Sequence, residues 1–299
     1  MNYQIEDVFS PRSFPQNTYI SRKLDDEETV DDRLRRALAM KGNLIFVSGA
    51  SKSGKTVLCH NAIAAESYIA LSGNQISTKA DFWNHIAEQL PLSDAVVTTT
   101  GGQDTAAKTG QAQFAVSFGV ANMGVSINKT SGAVFNQQLA MTNNRTERQI
   151  IQYLIDNDKV LVIDDFHYVA REMQMYIART LKTELFNGLK AVIISLPHRS
   201  DEAIICNPDL IGRTTSIEIL PWTAAELKAI AVKGFKLLGM PIGEAEEDLL
   251  AQESITSPQL MQENCFQLAF AAMQKKQPIS RELVHFAFKQ TARNYAHYE

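Results

Sequence analysis

Residues Gly49, Ala50, Ser51, Lys52, Ser53, Gly54, Lys55 and Thr56 match G-x-x-x-x-G-K-[ST] at every required position. The flanks make the run a constraint on fold. Residues 43–48 (Asn-Leu-Ile-Phe-Val-Ser) form an apolar, β-branched stretch of strand length, and residues 57–66 have helix-length amphipathic spacing. A buried strand that turns at a glycine directly into a helix is one βα unit of a parallel sheet. The chemistry of the turn is equally specific. Its two glycines let the backbone adopt conformations that a Cβ blocks, so successive N–H groups from Gly49 through Val57 curl around phosphate oxygens. Lys55 carries a point charge toward β- and γ-phosphates, and the Thr56 hydroxyl is a Mg²⁺ ligand. The helix that follows points its positive end at the same place.

An acidic residue at the tip of a second buried strand completes such a site, and residues 160–165 (Val-Leu-Val-Ile-Asp-Asp) supply one. Four consecutive apolar residues suit a strand covered on both faces. Asp164 at its end is placed to hold a Mg²⁺ shell, usually through water. Read alone, the Asp-Asp pair also suits the N-cap of a helix beginning near Tyr168.

The rest of the composition excludes more than it suggests. The chain has 299 residues, 45% of them hydrophobic and 21% charged, with a net charge of −4. That is ordinary for a globular protein and gives no electrostatic reason to expect general nucleic-acid binding. The three cysteines, Cys59, Cys206 and Cys265, are scattered, with neither a disulfide framework nor a zinc spacing. The first residues lack a basic segment and apolar core, and no apolar run approaches the ~20 residues that cross a bilayer. These features predict a cytoplasmic protein that does not enter membranes.

Along the chain, residues 1–22 read as an extended N-terminal arm. Residues 25–40 read as a helix with carboxylates near its positive end. Further strands are expected at 68–71, 191–195 and 216–220. Helices are expected at 79–90 (capped by Thr78), 145–156, near 169–187, 223–238, 244–252, 257–274 and 280–296. Residues 92–144 differ in kind, being rich in Thr, Gly, Ala, Ser, Asn and Gln. Within them, Phe114, Val116, Phe118 and Val120, then Val125 and Ile127, alternate with period two around a short turn. A disordered insertion is one reading; the single apolar face favours an inserted β-hairpin that packs against a partner or another copy. The expected architecture is thus α/β: a P-loop parallel sheet flanked by helices at 23–220, interrupted by an insertion at about 92–144. An all-helical lid follows at 221–299.

This order of elements resembles the AAA+ and STAND branches of the P-loop ATPases, close to initiator-loader and transposition-regulator cores. The resemblance rests on the phosphate loop, the acidic strand, a polar-tipped strand, an arginine-bearing segment and a helical lid. It implies ATP and Mg²⁺ as ligands. Asp165 falls where such ATPases carry a carboxylate, more often Glu, that orients the attacking water; Asp is one methylene shorter and implies slow turnover. Ser195 matches the polar sensor that touches the γ-phosphate or the water. Arg213 falls at the arginine-finger position, with Arg199 as the alternative. The lid departs from the AAA+ pattern. Residues 256–263 (Thr-Ser-Pro-Gln-Leu-Met-Gln-Glu) lack the usual arginine and resemble the STAND motif whose proline, here Pro258, packs on adenine. Tyr19 and Ile20 match the arm residues that touch the other side of the base.

Two functions from different classes follow from that resemblance. One is an ATP-driven switch that forms a homo-oligomer or engages a separate effector or sensor protein, as in stress or phage-defence systems. The other, less favoured on charge, is a DNA-handling ATPase of the transposition-regulator or helicase-loader type. A small-molecule kinase is disfavoured because no acceptor-binding signature follows the loop.

Overall fold

Four apolar side chains in a row, Leu44 to Val47, are each at most 1% exposed, so the first strand is covered on both faces. It is the centre of a five-stranded sheet in a computed structural model that describes residues 3–24, 28–91, 146–197 and 212–295. The strands are β1 (Leu44–Gly49), β2 (Tyr68–Ser72), β3 (Val160–Asp164), β4 (Lys190–Ser195) and β5 (Thr214–Ile219), in the order β2-β3-β4-β1-β5. Every pairing is parallel. The register runs Leu44↔Ala191 on one side of β1 and Leu44↔Thr214 on the other. All five strands therefore end along one edge, where an open α/β sheet has its crevice. β4 separates the loop strand from the acidic strand, so the two halves of the site are joined by tertiary structure rather than by strand pairing.

Alternate strand residues feed one core layer. Ile45 and Val47, Val160 and Val162, Val192 and Ile194, Ile217 and Ile219 pack with Leu34 and Ala37 of α2 (Val30–Ala39) and with Leu58 and Cys59 of α3 (Lys55–Ala62). Their neighbours Leu44, Phe46, Leu161, Ile163, Ala191 and Ile193 are buried on the opposite face. The helices α4 (Lys79–Glu88), α5 (Glu147–Asp156) and α6 (Arg171–Phe186) connect and flank the strands. Thr78 caps α4 through a reciprocal box with Asp81, and Thr146 caps α5 in the same way with Gln149. After β5 the chain is helical: α7 (Ala224–Leu238), α8 (Glu244–Glu253), α9 (Pro258–Lys275) and α10 (Arg281–Tyr295). Among the described residues no helix is long and apolar enough to cross a membrane.

The N-terminal arm is not simply extended. Residues Ile5–Val8 form one helical turn, α1, and Val8 and Phe9 are fully buried among Trp222, Phe235, Leu268 and other side chains of the helical region. Gly234 in α7 makes the seat: a Cβ there would lie 2.3 Å from the Phe9 ring. The prolines that suggested extension follow this turn. The next helix starts at Val30, not at 25. Thr29 caps it by accepting from Asp32 N, and Thr29 is also paired with Lys23 in an isolated antiparallel bridge. The inserted hairpin expected at 114–127 and the alternative finger Arg199 lie outside the described residues.

Candidate functional site

The turn after β1 has the backbone its glycines require. Gly54, the N-cap of α3, has φ +97, and a Cβ on Gly49 would sit 2.9 Å from the Ile219 carbonyl and the Ser53 hydroxyl. Lys52 is also left-handed at φ 62. Lys55 Nζ donates to the carbonyls of Gly49 at 2.9 Å and Ala50 at 2.7 Å, holding its charge over the loop. Burial pushes the Lys55 ammonium below its ordinary pKa, while the nearby carboxylates of Asp164 and Asp165 oppose the shift.

The acidic strand meets the loop here. Thr56 Oγ1 donates to Asp164 Oδ2 at 2.5 Å, joining positions 108 residues apart. Two oxygen donors side by side suit Mg²⁺, which takes few protein ligands and completes its shell with water and phosphate oxygens. Among the described residues there is no cluster of three or more His, Cys, Asp or Glu that could hold a metal ion. Asp165 follows at φ 54, ψ 35, and its N–H donates to Asp164 Oδ1 at 2.7 Å. A short polar side chain tolerates this left-handed backbone better than a longer one. The Asp165 carbonyl is pressed by Gly73, where a Cβ would lie 2.2 Å away. That glycine, at the end of β2, carries no sequence signal that distinguishes it from a turn residue.

These groups line one side of a cleft of about 830 Å³. Of the sequence-predicted residues, Ser51, Lys52, Ser53, Gly54, Lys55, Thr56, Val57, Asp164, Asp165, Tyr19, Ile20 and Pro258 line it. Gly49 and Ala50 lie behind, facing Lys55 with their carbonyls. Pro258, the first residue of α9, is brought in by two β-branched residues in the left-handed region, Ile255 (φ 43) and Thr256 (φ 58). Ser195 ends β4 but is only 1% exposed, and its hydroxyl has no partner among the described residues; the next residue, Leu196, forms the cleft wall. Arg213 lies at the opposite end of the sheet. Its carbonyl accepts from Leu44 N at 2.8 Å, at the start of β1, and its guanidinium sits 5.9 Å from the exposed Phe186 ring. The six residues of β1 separate it from the loop by about 17 Å at a strand rise of ~3.3 Å per residue.

The opposite wall contains residues that sequence reasoning missed. Asp31 is 2% exposed and accepts from Tyr19 Oη at 2.7 Å, Ser21 Oγ at 2.6 Å and Asn61 Nδ2 at 2.7 Å. Tyr19, assigned only a contact with the base, is thus tied down by its hydroxyl; burial first and then Asp31 push its pKa up. His60 stacks on Tyr68 with centroids 4.1 Å apart and faces the cleft beside Phe14. Trp222 lines the cleft from the end of β5 and donates from Nε1 to the Ser53 carbonyl at 2.9 Å. Its sequence signal was a Pro-Trp-Thr step before a helix, which carries no chemistry by itself. His167 differs from these in having a sequence signal: its place just after Asp-Asp-Phe brings it near the site but favours a capping or packing role, and it lines the cleft packed on Tyr168.

No protein-family profile matches the sequence. A search of curated proteins finds RuvB-like helicase 1 of Eremothecium gossypii, 24% identical over an alignment of 239 residues that covers 75% of this chain. The chain spans about half of that protein's length, 49%. Among solved structures, the Aeropyrum pernix ORC2 protein, in ADPNP–ADP complexes, aligns over 91% of this chain and 69% of its own with TM-score 0.60 and 11% identity. Cdc6p from Pyrobaculum aerophilum aligns over 96% and 71% with TM-score 0.59 and 15% identity. The Thermotoga maritima RuvB Holliday junction branch migration motor aligns over 87% and 67% with TM-score 0.50 and 15% identity.

Proposed function

The protein has the AAA+ P-loop ATPase fold, and from it we propose that the chain binds and slowly hydrolyses ATP as a nucleotide-dependent switch. The observation that carries this reading is the contact between Thr56 and Asp164 beneath the loop, inside a cleft large enough for a nucleotide. The backbone amides of residues 50–57 cradle the phosphates, and Lys55 neutralises the β- and γ-phosphates. Thr56 and Asp164 hold Mg²⁺, whose charge supports the phosphate oxygens when it is bound. Asp165 orients the attacking water. Ser195 is the candidate for sensing the γ-phosphate, which requires the chain around Leu196 to expose it. Pro258 packs on one side of the adenine, with Ile20 and the backbone of Tyr19 on the other.

Arg213 cannot reach its own cleft across the length of β1. If it acts as a finger it acts on a neighbouring copy, so that hydrolysis depends on assembly. The proposal therefore includes a homo-oligomer. Its output is a separate effector or sensor protein, of the kind found in stress or phage-defence systems, and its setting is the cytoplasm. The three-part division into arm, α/β domain and lid is part of the same reading.

Mixing an Arg213→Ala chain with a Lys55→Ala chain tests shared sites. The first keeps a competent cleft and the second keeps the arginine, so ATP hydrolysis returns in the mixture. No recovery across a range of ratios argues against the shared site.

The second reading, a DNA-handling ATPase, is favoured by the helicase name of the curated relative and the branch-migration motor among the solved structures. The net charge of −4 argues against it. Phosphate contacts make affinity for DNA fall steeply with salt, so a binding titration at several salt concentrations separates the two.

A further inference from the structure

The arm, the start of the helical region and the phosphate loop meet at one indole. Trp222 is 9% exposed, and its only ring N–H is donated to Ser53 O within the loop at 2.9 Å. The Arg22 guanidinium lies over the ring, 4.8 Å from its centroid. That guanidinium is held on all sides. Nε donates to Glu226 Oε1 at 2.9 Å, Nη2 to Glu226 Oε2 at 3.2 Å and to Pro221 O at 3.2 Å, and Nη1 to Leu220 O at 2.8 Å. The arm that carries Arg22 is itself fastened to the helical region. Lys233 Nζ donates to Tyr19 O at 2.9 Å, and Gln262 Nε2 donates to Thr18 Oγ1 at 2.8 Å.

We propose that Trp222 is a positioning residue for the phosphate loop, and that Arg22 and Glu226 make it transmit the seating of the helical region to the loop. This rests on the nucleotide-binding reading of the cleft. The peptide plane gives the mechanism. The Ser53 carbonyl and the Gly54 N–H belong to one trans-planar unit and point in opposite directions, so a donor that holds the carbonyl also aims the amide. The Gly54 amide is one of those that face phosphate in a loop of this kind. Gly54 is also the residue least able to resist rotation of that plane by itself, since glycine populates both signs of φ with similar ease. An external hydrogen bond at Ser53 therefore replaces the restraint that a side chain at position 54 would have supplied. A shift of α7 moves Glu226 and, through Arg22, the ring that holds this bond.

The test compares wild type with Trp222→Phe, which keeps an aromatic ring under Arg22 and removes the donor. Calorimetric titration with ADP is expected to give an affinity about tenfold weaker in the variant, the size of one neutral hydrogen bond. The ligand-free protein still folds, with its thermal midpoint lowered by no more than about 2–4 °C for the Ser53 carbonyl left without its donor. A second measurement uses Trp83→Phe, in which Trp222 is the sole tryptophan of the two in the chain. Its emission is expected to shift on addition of ADP, because the indole N–H bonds to the loop that receives the ligand. Wild-type affinity in Trp222→Phe, alongside lost affinity in Lys55→Ala, overturns the positioning role and leaves the nucleotide site standing. If wild type itself binds no ADP, the site reading fails and this proposal with it. Should Trp222→Phe fail to fold, the single-tryptophan protein decides: unchanged emission at saturating ADP overturns the proposal.

Discussion

The two walls of the cleft are built on different principles. The phosphate loop is one contiguous segment, and apart from the bond of Thr56 to Asp164 on the acidic strand its polar contacts on this wall are short-range: Lys55 reaches back five and six residues to Ala50 and Gly49, and Ser53 N donates to Ala50 O. The opposite wall is assembled from the arm, α2 and the helical region. Its hydrogen bonds join residues 204 positions apart (Arg22–Glu226), 244 apart (Thr18–Gln262) and 252 apart (Ser10–Gln262). The first wall takes most of its shape from local backbone and helix geometry, with Trp222 holding the Ser53–Gly54 peptide from outside. The second exists only while the tertiary structure holds it. Substitutions in the first should therefore change ligand chemistry with little effect on stability, and substitutions in the second should do the reverse, except at Trp222, whose N–H reaches across to the Ser53 carbonyl.

The largest effect is expected from Lys55→Ala. Removing the charge aimed at the phosphates should weaken ATP at least about a hundredfold, as truncating one partner of a buried charge pair does. The ligand-free thermal midpoint should move by about 2 °C or less, because among the described residues the hydrogen bonds of the lysine go to loop carbonyls, and its half-buried charge is itself costly to keep there. A variant that unfolds, or that binds ATP normally, breaks the contrast between the walls.

Next are the paired acids. Asp165→Asn should retain ATP and Mg²⁺ while hydrolysis falls by about 10²-fold or more, the usual range for losing a positioned proton acceptor. Asp164→Asn should weaken binding specifically when Mg²⁺ is present, since it removes the carboxylate charge beside the Thr56 hydroxyl while leaving an oxygen to accept from it. Equal hydrolysis by both variants and wild type would make the acidic strand a purely structural feature.

On the other wall, Gln262→Leu tests stability. Gln262 is 4% exposed, accepts from Ser10 N at 3.1 Å and donates to Thr18 Oγ1 at 2.8 Å. Its loss leaves the half-buried Ser10 N–H and the buried Thr18 hydroxyl without this partner, which costs about 1–3 kcal/mol and lowers the thermal midpoint by several degrees. Nucleotide affinity should fall less than fivefold. A larger loss of affinity than of stability would mean that the arm contributes more to the ligand than to the fold.

This division also marks what the amino-acid order revealed. The loop, the acidic strand and the buried apolar strands were legible because each is a local pattern. Trp222 was not, because its acceptor lies 169 residues away and a tryptophan before a helix has no characteristic spacing. Asp31 read as one more carboxylate at a helix start, whereas three side-chain donors from the arm and α3 converge on it. The turn at Ile5–Val8 is too short to nucleate alone and exists because Val8 and Phe9 are buried against the helical region. At Asp165 the sequence showed a departure from the more common Glu, and the left-handed backbone supplies a physical reason for it.

The smallest effect is expected at the rim of the second wall, where it is read by pH. Burial pushes the Glu226 carboxyl up, but hydrogen bonds from Arg22 and from Thr223 outweigh it and hold the group below its ordinary value. A depressed carboxylate contributes stability that is fully present above its unfolded pKa, about 4.3, and disappears as pH falls through the folded value. The side chains of Arg22 and Glu226 are 12% and 22% exposed, so solvent screening reduces the contribution to about 0.5–1 kcal/mol. Glu226→Gln should therefore melt about 1–3 °C below wild type at pH 7 and at pH 5, and the gap should narrow as pH is lowered past 4. High salt at pH 7 should narrow it as well, since the pair is not fully shielded from solvent. A gap that is unchanged between pH 7 and pH 3.5 would mean that Glu226 acts by capping α7 with neutral hydrogen bonds. The charge of Arg22 would then contribute to the joint through its stacking on Trp222 and its hydrogen bonds to the carbonyls of Leu220 and Pro221.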